Sequence, residues 1–263
     1  MPLEEDLPLA YRDYFTHDDK PSKRNGIAHR LYRLLLALSG LAHQRTELRT
    51  FFLRRNRPGR LLEVGCGAGD RLAEFRSLGW EVEGQEIDPP AAERAMARGL
   101  PIHLGALPSL SLTANTFDAA VMNHVIEHVH DPLSLLCECH RVLKPGGRLA
   151  VVTPNVASLG HRCFGSCWMP LDPPRHLRLF SPTTLQQLIA RAGFRDCQVS
   201  TTAANAQFVA EGSLAIRRAG RHQFGPSPGR SLQIQSLLFQ LRATLIMLVQ
   251  KDSGEECFLT ASK

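Results

Sequence analysis

With 263 residues and 43% hydrophobic content, the chain can bury the core of one large domain, and it is too apolar to be a disordered chain. Residues 1–19 mix acids and prolines with leucines, and no run approaches the roughly 18 apolar residues of a membrane span. We therefore expect neither a signal peptide nor a transmembrane helix. Seven scattered cysteines fit reduced thiols, so a cytoplasmic location is expected.

The net charge of +6 is concentrated in one segment. Eleven lysines or arginines lie between Lys20 and Arg60, against the single acid Glu47. A segment of this kind can face nucleic-acid phosphates, an anionic lipid surface or an acidic substrate.

Residues 1–56 are predicted to form an N-terminal arm followed by a helical cover. Apolar residues recur at helical spacing from Ile27 to Leu41, and a second helix is predicted to contain Leu48, Phe51 and Phe52. The remaining residues, 57–263, are predicted to form the catalytic domain.

The stretch from Leu61 to Asp70 is the most informative of the chain. An apolar strand enters a turn with glycines at Gly65, Gly67 and Gly69, and a helix is predicted behind it. Glycine lets the backbone approach a ligand closely. The third glycine comes one residue earlier than in the dinucleotide fingerprint, and Glu63 would repel a pyrophosphate. The turn therefore favours a cationic ligand without phosphates.

Further strands and helices follow in regular alternation, which predicts a parallel sheet. Strands are predicted at 80–88, 101–105 and 116–123, around 148–152, at 194–201 and at 256–261. Helices are predicted at 70–78, 90–98, 132–143, 182–192 and 232–249, whereas 203–230 reads as loop-rich.

The order and spacing of these motifs over about residues 57–200 resemble the class I S-adenosylmethionine-dependent methyltransferases. The resemblance implies an α/β, Rossmann-like, seven-stranded and mostly parallel sheet, with the last strand antiparallel between strands five and six. Helices would cover both faces. It also implies S-adenosylmethionine as the cofactor.

The resemblance also assigns cofactor-binding residues. The acid-x-G-x-G-x-G turn would hold the methionine end of the cofactor. Glu86, at the end of the second strand, would take the ribose hydroxyls, with Asp88 as a weaker rival, and Ile87 would pack on adenine. Ala106 stands where the family often has an adenine-binding Asp, and Asn123 would contribute its backbone. The turn residues assigned in this way are Glu63, Gly65, Cys66, Gly67 and Gly69.

Three histidines at the carboxyl edge of the sheet are candidates for a catalytic base: His124, His128 and His176. The segment 124–128 resembles the E-x-x-E-H pattern of quinone-pathway O-methyltransferases, but His124 replaces the first Glu. A divalent ion held by Glu127 and His128 is therefore an alternative, and we predict no metal site. In the structural alternative, these residues brace the loop below the cofactor, and His176 fixes its own loop by a hydrogen bond. The spacing of Cys137, Cys139 and His140 is not that of a zinc site.

The expected function is O-methylation of a small-molecule or lipid-linked hydroxyl. An RNA methyltransferase and a non-catalytic cofactor-binding subunit are the alternatives, although no Asn-Pro-Pro-aromatic motif follows the fourth strand. The segments 156–180 and 203–250 are expected to determine the acceptor, with Phe164 and Trp168 as candidate pocket residues. The apolar helix at 232–249 is interpreted as core or homodimer surface, with peripheral membrane contact as the alternative.

Overall fold

The computed structural model describes residues 47–220 and 229–263, together with four single positions before residue 47. The predicted arm and most of the predicted cover lie outside the described residues. Residues 221–228, in the segment predicted to be loop-rich, also lie outside the described residues.

Seven strands form one sheet in the order β3-β2-β1-β4-β5-β7-β6. They are β1 (Arg60–Val64), β2 (Glu81–Glu86), β3 (Ile102–Leu104), β4 (Phe117–Asn123), β5 (Leu143–Pro154), β6 (Arg195–Thr202) and β7 (Glu256–Ser262). All four pairings among β1 to β5 are parallel.

Strand β7 runs antiparallel to β5. The N–H of Asn155 donates to the carbonyl of Glu255, whereas the N–H of Gly146 donates to the carbonyl of Lys263. The start of one strand is thus paired with the end of the other. The predicted fold class, including the position and direction of the last strand, is confirmed.

The helices predicted at 70–78, 90–98, 132–143, 182–192 and 232–249 are confirmed within two residues of their predicted ends, and two further helices lie at 159–164 and 206–219. Asp88, Asp131 and Ser158 cap three of them by accepting a backbone N–H with the side chain. The helices are α1 (Asp70–Ser77), α2 (Pro89–Ala97), α3 (Pro132–Val142), α4 (Leu159–Phe164), α5 (Pro182–Arg191), α6 (Ala206–Ala219) and α7 (Arg230–Met247).

The chain divides into two compact units. The first, which we call the sheet unit, comprises residues 47–153, 183–199 and 258–263. The second, the helical unit, comprises residues 154–182, 200–220 and 229–257 of the described part of the chain.

The core of the sheet unit is built on both sides of its central strands. The apolar residues of β1 and β4 are almost completely buried, as expected for parallel strands covered on two faces. Phe75 of α1 stacks with Phe51 and meets the edge of Trp80. These rings fix α1 directly behind the turn that follows β1.

The predicted helix through Phe51 and Phe52 ends earlier than expected. Both residues have left-handed backbones, with φ of +49° and +57°. Phe51 is completely buried, and the ring of Phe52 lies 4.7 Å from that of Phe258. The burial of Phe51 and the contact of the partly exposed Phe52 ring with Phe258 therefore outweigh the helical pattern of the sequence.

The prediction of a loop-rich segment at 203–230 is wrong for its first half, where α6 lies. Ala206, Val209 and Ala210 line one face of this helix and pack in a core that also contains Phe239 of α7. A Cβ at Gly212 would lie 2.4 Å from the sulfur of Met169, so this glycine permits close packing. The alanines and glycine of this segment favour a loop when only their sequence neighbours are considered. Their packing partners, such as Phe239 and Met169, are distant along the chain, so the sequence pattern does not reveal the helix.

Within the described part of the chain, no helix is both long enough and apolar enough to cross a bilayer.

Candidate functional site

The turn after β1 contains three glycines with left-handed backbones, and the space around each of them differs. A Cβ at Gly65 would lie 2.5 Å from Val125 Cγ2, and one at Gly69 would lie 2.3 Å from Leu100 Cδ1. A Cβ at Gly67 would meet nothing within 4 Å. Two of the glycines are thus required for packing, whereas Gly67 borders open space in front of the turn.

This difference predicts different results for two alanine substitutions. Gly67→Ala should weaken ligand binding, because its methyl group would protrude into the open space, and should cost only the backbone strain of φ +55°. Gly69→Ala adds a clash with Leu100 and should lower stability further, by about 1–3 kcal/mol. Urea unfolding measures the stabilities and isothermal titration the affinities. Equal stabilities of the two variants would contradict the assignment.

The carboxylate of Glu86 organises the backbone between β1 and β2. Its Oε2 accepts the N–H of Gly67 at 2.7 Å, and its Oε1 accepts the N–H groups of Ile87 and Asp88 at 2.8 and 3.0 Å. Asp88, the rival acid, instead caps α2 through the N–H of Ala91. Ile87 is 63% exposed. Glu86 is therefore the acid that contacts the glycine turn, with an exposed apolar side chain beside it.

Gln85 also holds the turn, although the sequence analysis did not single it out. Its Oε1 accepts the N–H of Gly65 at 3.2 Å, and its Nε2 donates to the carbonyl of Gly105 at 2.6 Å. One side chain thus connects the ends of β1 and β3. In the sequence, the only indication of this role is an amide side chain next to Glu86 at the end of a strand.

Glu63 is a buried carboxyl beneath the turn. Burial raises its pKa from 4.5 to about 8, although the nearby Arg71 guanidinium opposes this shift. Arg71 Nε lies 3.4 Å from Glu63 Oε1, whereas the buried Oε2 has no hydrogen-bond partner among the described residues. An unsatisfied buried acceptor is costly, so this atom is suited to a donor from a ligand.

The other predicted cofactor residues lie along the same edge of the sheet. Cys66 is buried in the turn, and burial raises the pKa of its thiol to about 12. Ala106 is exposed and directly precedes a short 3-10 turn, and Asn123 ends β4. Arg49, in the segment predicted to form the cover, forms an exposed ion pair with Glu74 at 3.0 Å.

His124, Glu127 and Thr153 form a hydrogen-bonded chain at the ends of β4 and β5. His124 Nδ1 lies 3.1 Å from Glu127 Oε1, and the Thr153 hydroxyl donates to Glu127 Oε2 at 2.9 Å. The carboxyl of Glu127 is fully buried, while the His124 side chain is 36% exposed. A buried carboxylate thus orients a partly exposed imidazole. Thr153 was noted in the sequence only as the exit of the strand.

The other two histidines have different surroundings. His128 ends a short 3-10 turn in the sheet unit, and its N–H donates to the carbonyl of Val125. His176 lies in the helical unit, where its ring is largely buried and its Nδ1 lies 2.6 Å from the carbonyl oxygen of Pro170. This bond is the one expected if His176 fixes its own loop.

The aromatic residues proposed for an acceptor pocket pack instead in the core of the helical unit. Trp168 and Phe164 are both buried there. The indole N–H of Trp168 donates to Glu255 at 3.4 Å, and burial raises the pKa of Glu255 to about 7.

The sheet order, the antiparallel β7 and the acid-x-G-x-G-x-G turn behind β1 together define a class I methyltransferase fold. Solved structures show the same fold. Phosphoethanolamine N-methyltransferase 2 of Haemonchus contortus, in complex with S-adenosyl-L-methionine, matches 81% of this chain and 51% of its own, with a TM-score of 0.55 and 17% identity. A methyltransferase of Thermotoga maritima, described as a possible histamine N-methyltransferase, matches with a TM-score of 0.53 and 23% identity. The match covers 90% of this chain and 100% of the Thermotoga chain.

The chain belongs to the family described as "Methyltransferase domain", whose model matches residues 32–199. The chain is 33% identical over 146 residues to a ubiquinone biosynthesis O-methyltransferase of Cereibacter sphaeroides, covering 51% of this chain and 59% of the relative. It is 34% identical over 138 residues to a probable S-adenosylmethionine-dependent methyltransferase of Mycolicibacterium smegmatis, covering 51% of each. The matches thus span between half and three fifths of these relatives.

Proposed function

We propose that the chain is an S-adenosylmethionine-dependent methyltransferase that methylates a hydroxyl, most readily a phenol, on a small molecule or lipid-linked acceptor. The observation that carries the proposal is the glycine turn held by Glu86, with Gly67 open and Glu86 and Ile87 at its side. The match to the named O-methyltransferases supports the choice of a hydroxyl acceptor.

The residues around the turn fit this cofactor. The unsatisfied Glu63 Oε2 can accept a hydrogen bond from the amino group of its methionine part. Glu86 can accept bonds from a vicinal diol, and Ile87 offers an apolar surface to a base ring. The absence of a basic residue in the turn agrees with a ligand that carries no phosphate.

When bound, the cofactor would supply an electrophilic methyl group to an acceptor oxygen, with the neutral thioether S-adenosylhomocysteine as the leaving group. The turn and Glu86 position one reactant, so that much of the rate enhancement comes from orientation. Proton removal from the acceptor is assigned to His124. With Nδ1–H donated to Glu127, its Nε2 has the lone pair that a general base requires.

Glu127 and Thr153 then act as positioning residues. Thr153 directs one oxygen of Glu127, and the other oxygen holds the His124 ring and stabilises its protonated form. A phenol is the acceptor class that this arrangement suits, because a histidine can deprotonate it more readily than an alkyl alcohol.

The proposal is tested by methyl transfer from labelled S-adenosylmethionine to a panel of catechols, phenols and lipid-linked sugars. His124→Gln should lower kcat by about 10²- to 10⁴-fold and leave the affinity for the cofactor unchanged. Glu127→Gln should lower kcat less and alter its pH profile. His103→Gln is the matched control, since this histidine pairs with Glu83 and lies away from the turn.

Turnover unaffected by His124→Gln would contradict the role of His124. Cofactor binding without transfer to any acceptor would favour the non-catalytic alternative. Salt-dependent retention on RNA would favour nucleic acid as the acceptor.

A further inference from the structure

Gln85 is a buried side chain whose amide joins two backbone groups just beyond the ends of β1 and β3. The residue is only 3% exposed. Its Oε1 accepts the N–H of Gly65 at 3.2 Å, and its Nε2 donates to the carbonyl of Gly105 at 2.6 Å. The two ends of the amide cannot be exchanged, because donor would then face donor and acceptor would face acceptor. The side chain is therefore held in one orientation.

The bond to Gly105 also determines the direction of the next backbone N–H. The Gly105 carbonyl and the Ala106 N–H belong to one trans peptide group, so they point in opposite directions. Because the carbonyl faces the buried amide of Gln85, the N–H of Ala106 faces away from it. Ala106 is exposed, and its N–H donates to no other group within the described part of the chain. The peptide group thus presents a backbone donor at the carboxyl end of β3.

The backbone at Gly105 restrains this peptide group only weakly. Gly105 has a φ of +130°, and a residue without Cβ rotates more freely than any other. Its N–H donates to the carbonyl of Glu86, and the carbonyl of Ala106 accepts the N–H of Ser109. These bonds hold the neighbouring peptide groups. Among the described residues, the Gly105 carbonyl itself is held by Gln85 alone.

The Ala106 donor lies on the far side of Glu86 from the glycine turn. Strand β2 lies between β1 and β3 in the sheet, and the N–H of Gly105 reaches the carbonyl of Glu86 at 2.9 Å. A ligand with its amino-acid part on the turn and its ribose on Glu86 would extend its base towards β3. The base would then lie beside the exposed Ile87 and meet the N–H of Ala106.

We propose that Gln85 is a positioning residue that makes the cofactor site selective for adenine. By holding the Gly105 carbonyl, it directs the Ala106 N–H at a base that has an acceptor on its edge. Adenine has such an acceptor at N1, whereas hypoxanthine carries a hydrogen at N1 and would set donor against donor. This role rests on the proposed function, because it requires the cofactor to bind at the glycine turn.

A purely structural role for Gln85 would have a different consequence. If the amide only joined the ends of β1 and β3, its loss would weaken the binding of all ligands of this site equally. Gln240 in the helical unit is a comparable bridge. It is completely buried, its Nε2 donates to the Ala203 carbonyl at 2.8 Å, and its Oε1 accepts the N–H of Gln207 at 2.9 Å. Gln240 therefore supplies the matched control.

Isothermal titration of the full chain with S-adenosylhomocysteine and S-inosylhomocysteine tests the proposal. Wild type should bind the adenosyl ligand roughly 100-fold more tightly, since the inosyl ligand leaves two donors unpaired. Gln85→Met keeps a similar volume but neither hydrogen bond, and it should reduce the ratio of the two affinities at least about tenfold. Gln240→Met should lower the stability and leave this ratio unchanged.

Urea unfolding shows whether each variant is folded. If Gln85→Met does not fold, Gln85→Asn replaces it, because its amide lies one bond closer to the backbone and cannot reach both partners. Equal binding of the two ligands by wild type would overturn the proposal. A folded Gln85 variant that binds both ligands less tightly at an unchanged ratio would also overturn it and indicate a structural brace. A wild type that binds neither ligand would instead refute the proposed function, and this role with it.

Discussion

Replacing Glu86 with alanine is expected to abolish measurable binding of S-adenosylmethionine and S-adenosylhomocysteine. The substitution removes the proposed acceptor for the ribose hydroxyls and also releases the N–H of Gly67 and two N–H groups after β2. Hydrogen bonds to a charged group contribute about 1.5–3 kcal/mol each. Losing two or more of them predicts a fall in affinity of at least about 100-fold.

Isothermal titration with both ligands measures this loss. Glu86→Gln should lie between wild type and Glu86→Ala, because an amide keeps one acceptor oxygen. Glu81→Ala is the matched control, since its carboxylate lies on the same strand but is exposed and pairs with Arg60 at 3.4 Å. Wild-type affinity in Glu86→Ala would refute the proposed ribose site.

Replacing Glu63 with glutamine is expected to have opposite effects on stability and on binding. Glu63 is buried, and its pKa is raised to about 8 in the folded state. The folded protein therefore retains this proton at pH values where the unfolded chain has lost it. The stabilising effect of the retained proton is complete below pH 4.5 and is lost as the pH rises through 8.

Glutamine at position 63 does not titrate, so the variant should gain stability relative to wild type as the pH rises. At about 1.4 kcal/mol for each unit of pKa, the gain should reach a few kcal/mol by pH 9. Cofactor affinity should fall above about pH 8, where Glu63 is ionised and glutamine cannot replace its charge-assisted bond with the methionine amino group.

Urea unfolding between pH 5 and pH 9 and titration with the cofactor measure the two effects. Glu83→Gln supplies a control of opposite sign. Although burial opposes the shift, hydrogen bonds from His103 and Arg60 lower the pKa of Glu83, so its contribution to stability is lost on acidification. Parallel pH curves for wild type and Glu63→Gln would contradict the raised pKa.

The sequence predicted the fold because its strongest signals are local. Apolar strands, capping residues and the glycines of the turn act within a few neighbours, and the alternation of strand and helix determines the sheet. The choice of Glu86 followed from the resemblance to the methyltransferases, which assigns the acid at the end of the second strand. The cofactor-binding roles of these residues remain predictions, but the structure brings Glu86 and Gly67 within hydrogen-bond distance.

The parts that the sequence did not predict depend on contacts between distant residues. Thr153 meets Glu127 only because β4 and β5 end side by side. The left-handed backbones of Phe51 and Phe52 depend on burial of the first ring and on contact of the second with Phe258. The helix α6 depends on its packing in the helical unit. The fully buried state of Glu127 likewise had no local signal, since an acid at that position reads as a capping residue.

The closeness of Gly65 and Val125 has a consequence for how two ligands bind. Val125 directly follows His124, so the turn that carries the proposed base rests on the turn proposed to hold the cofactor. A shift of one turn on ligand binding is therefore expected to shift the other. Linkage then requires that the cofactor and the acceptor change each other's affinity by the same factor, whichever binds first.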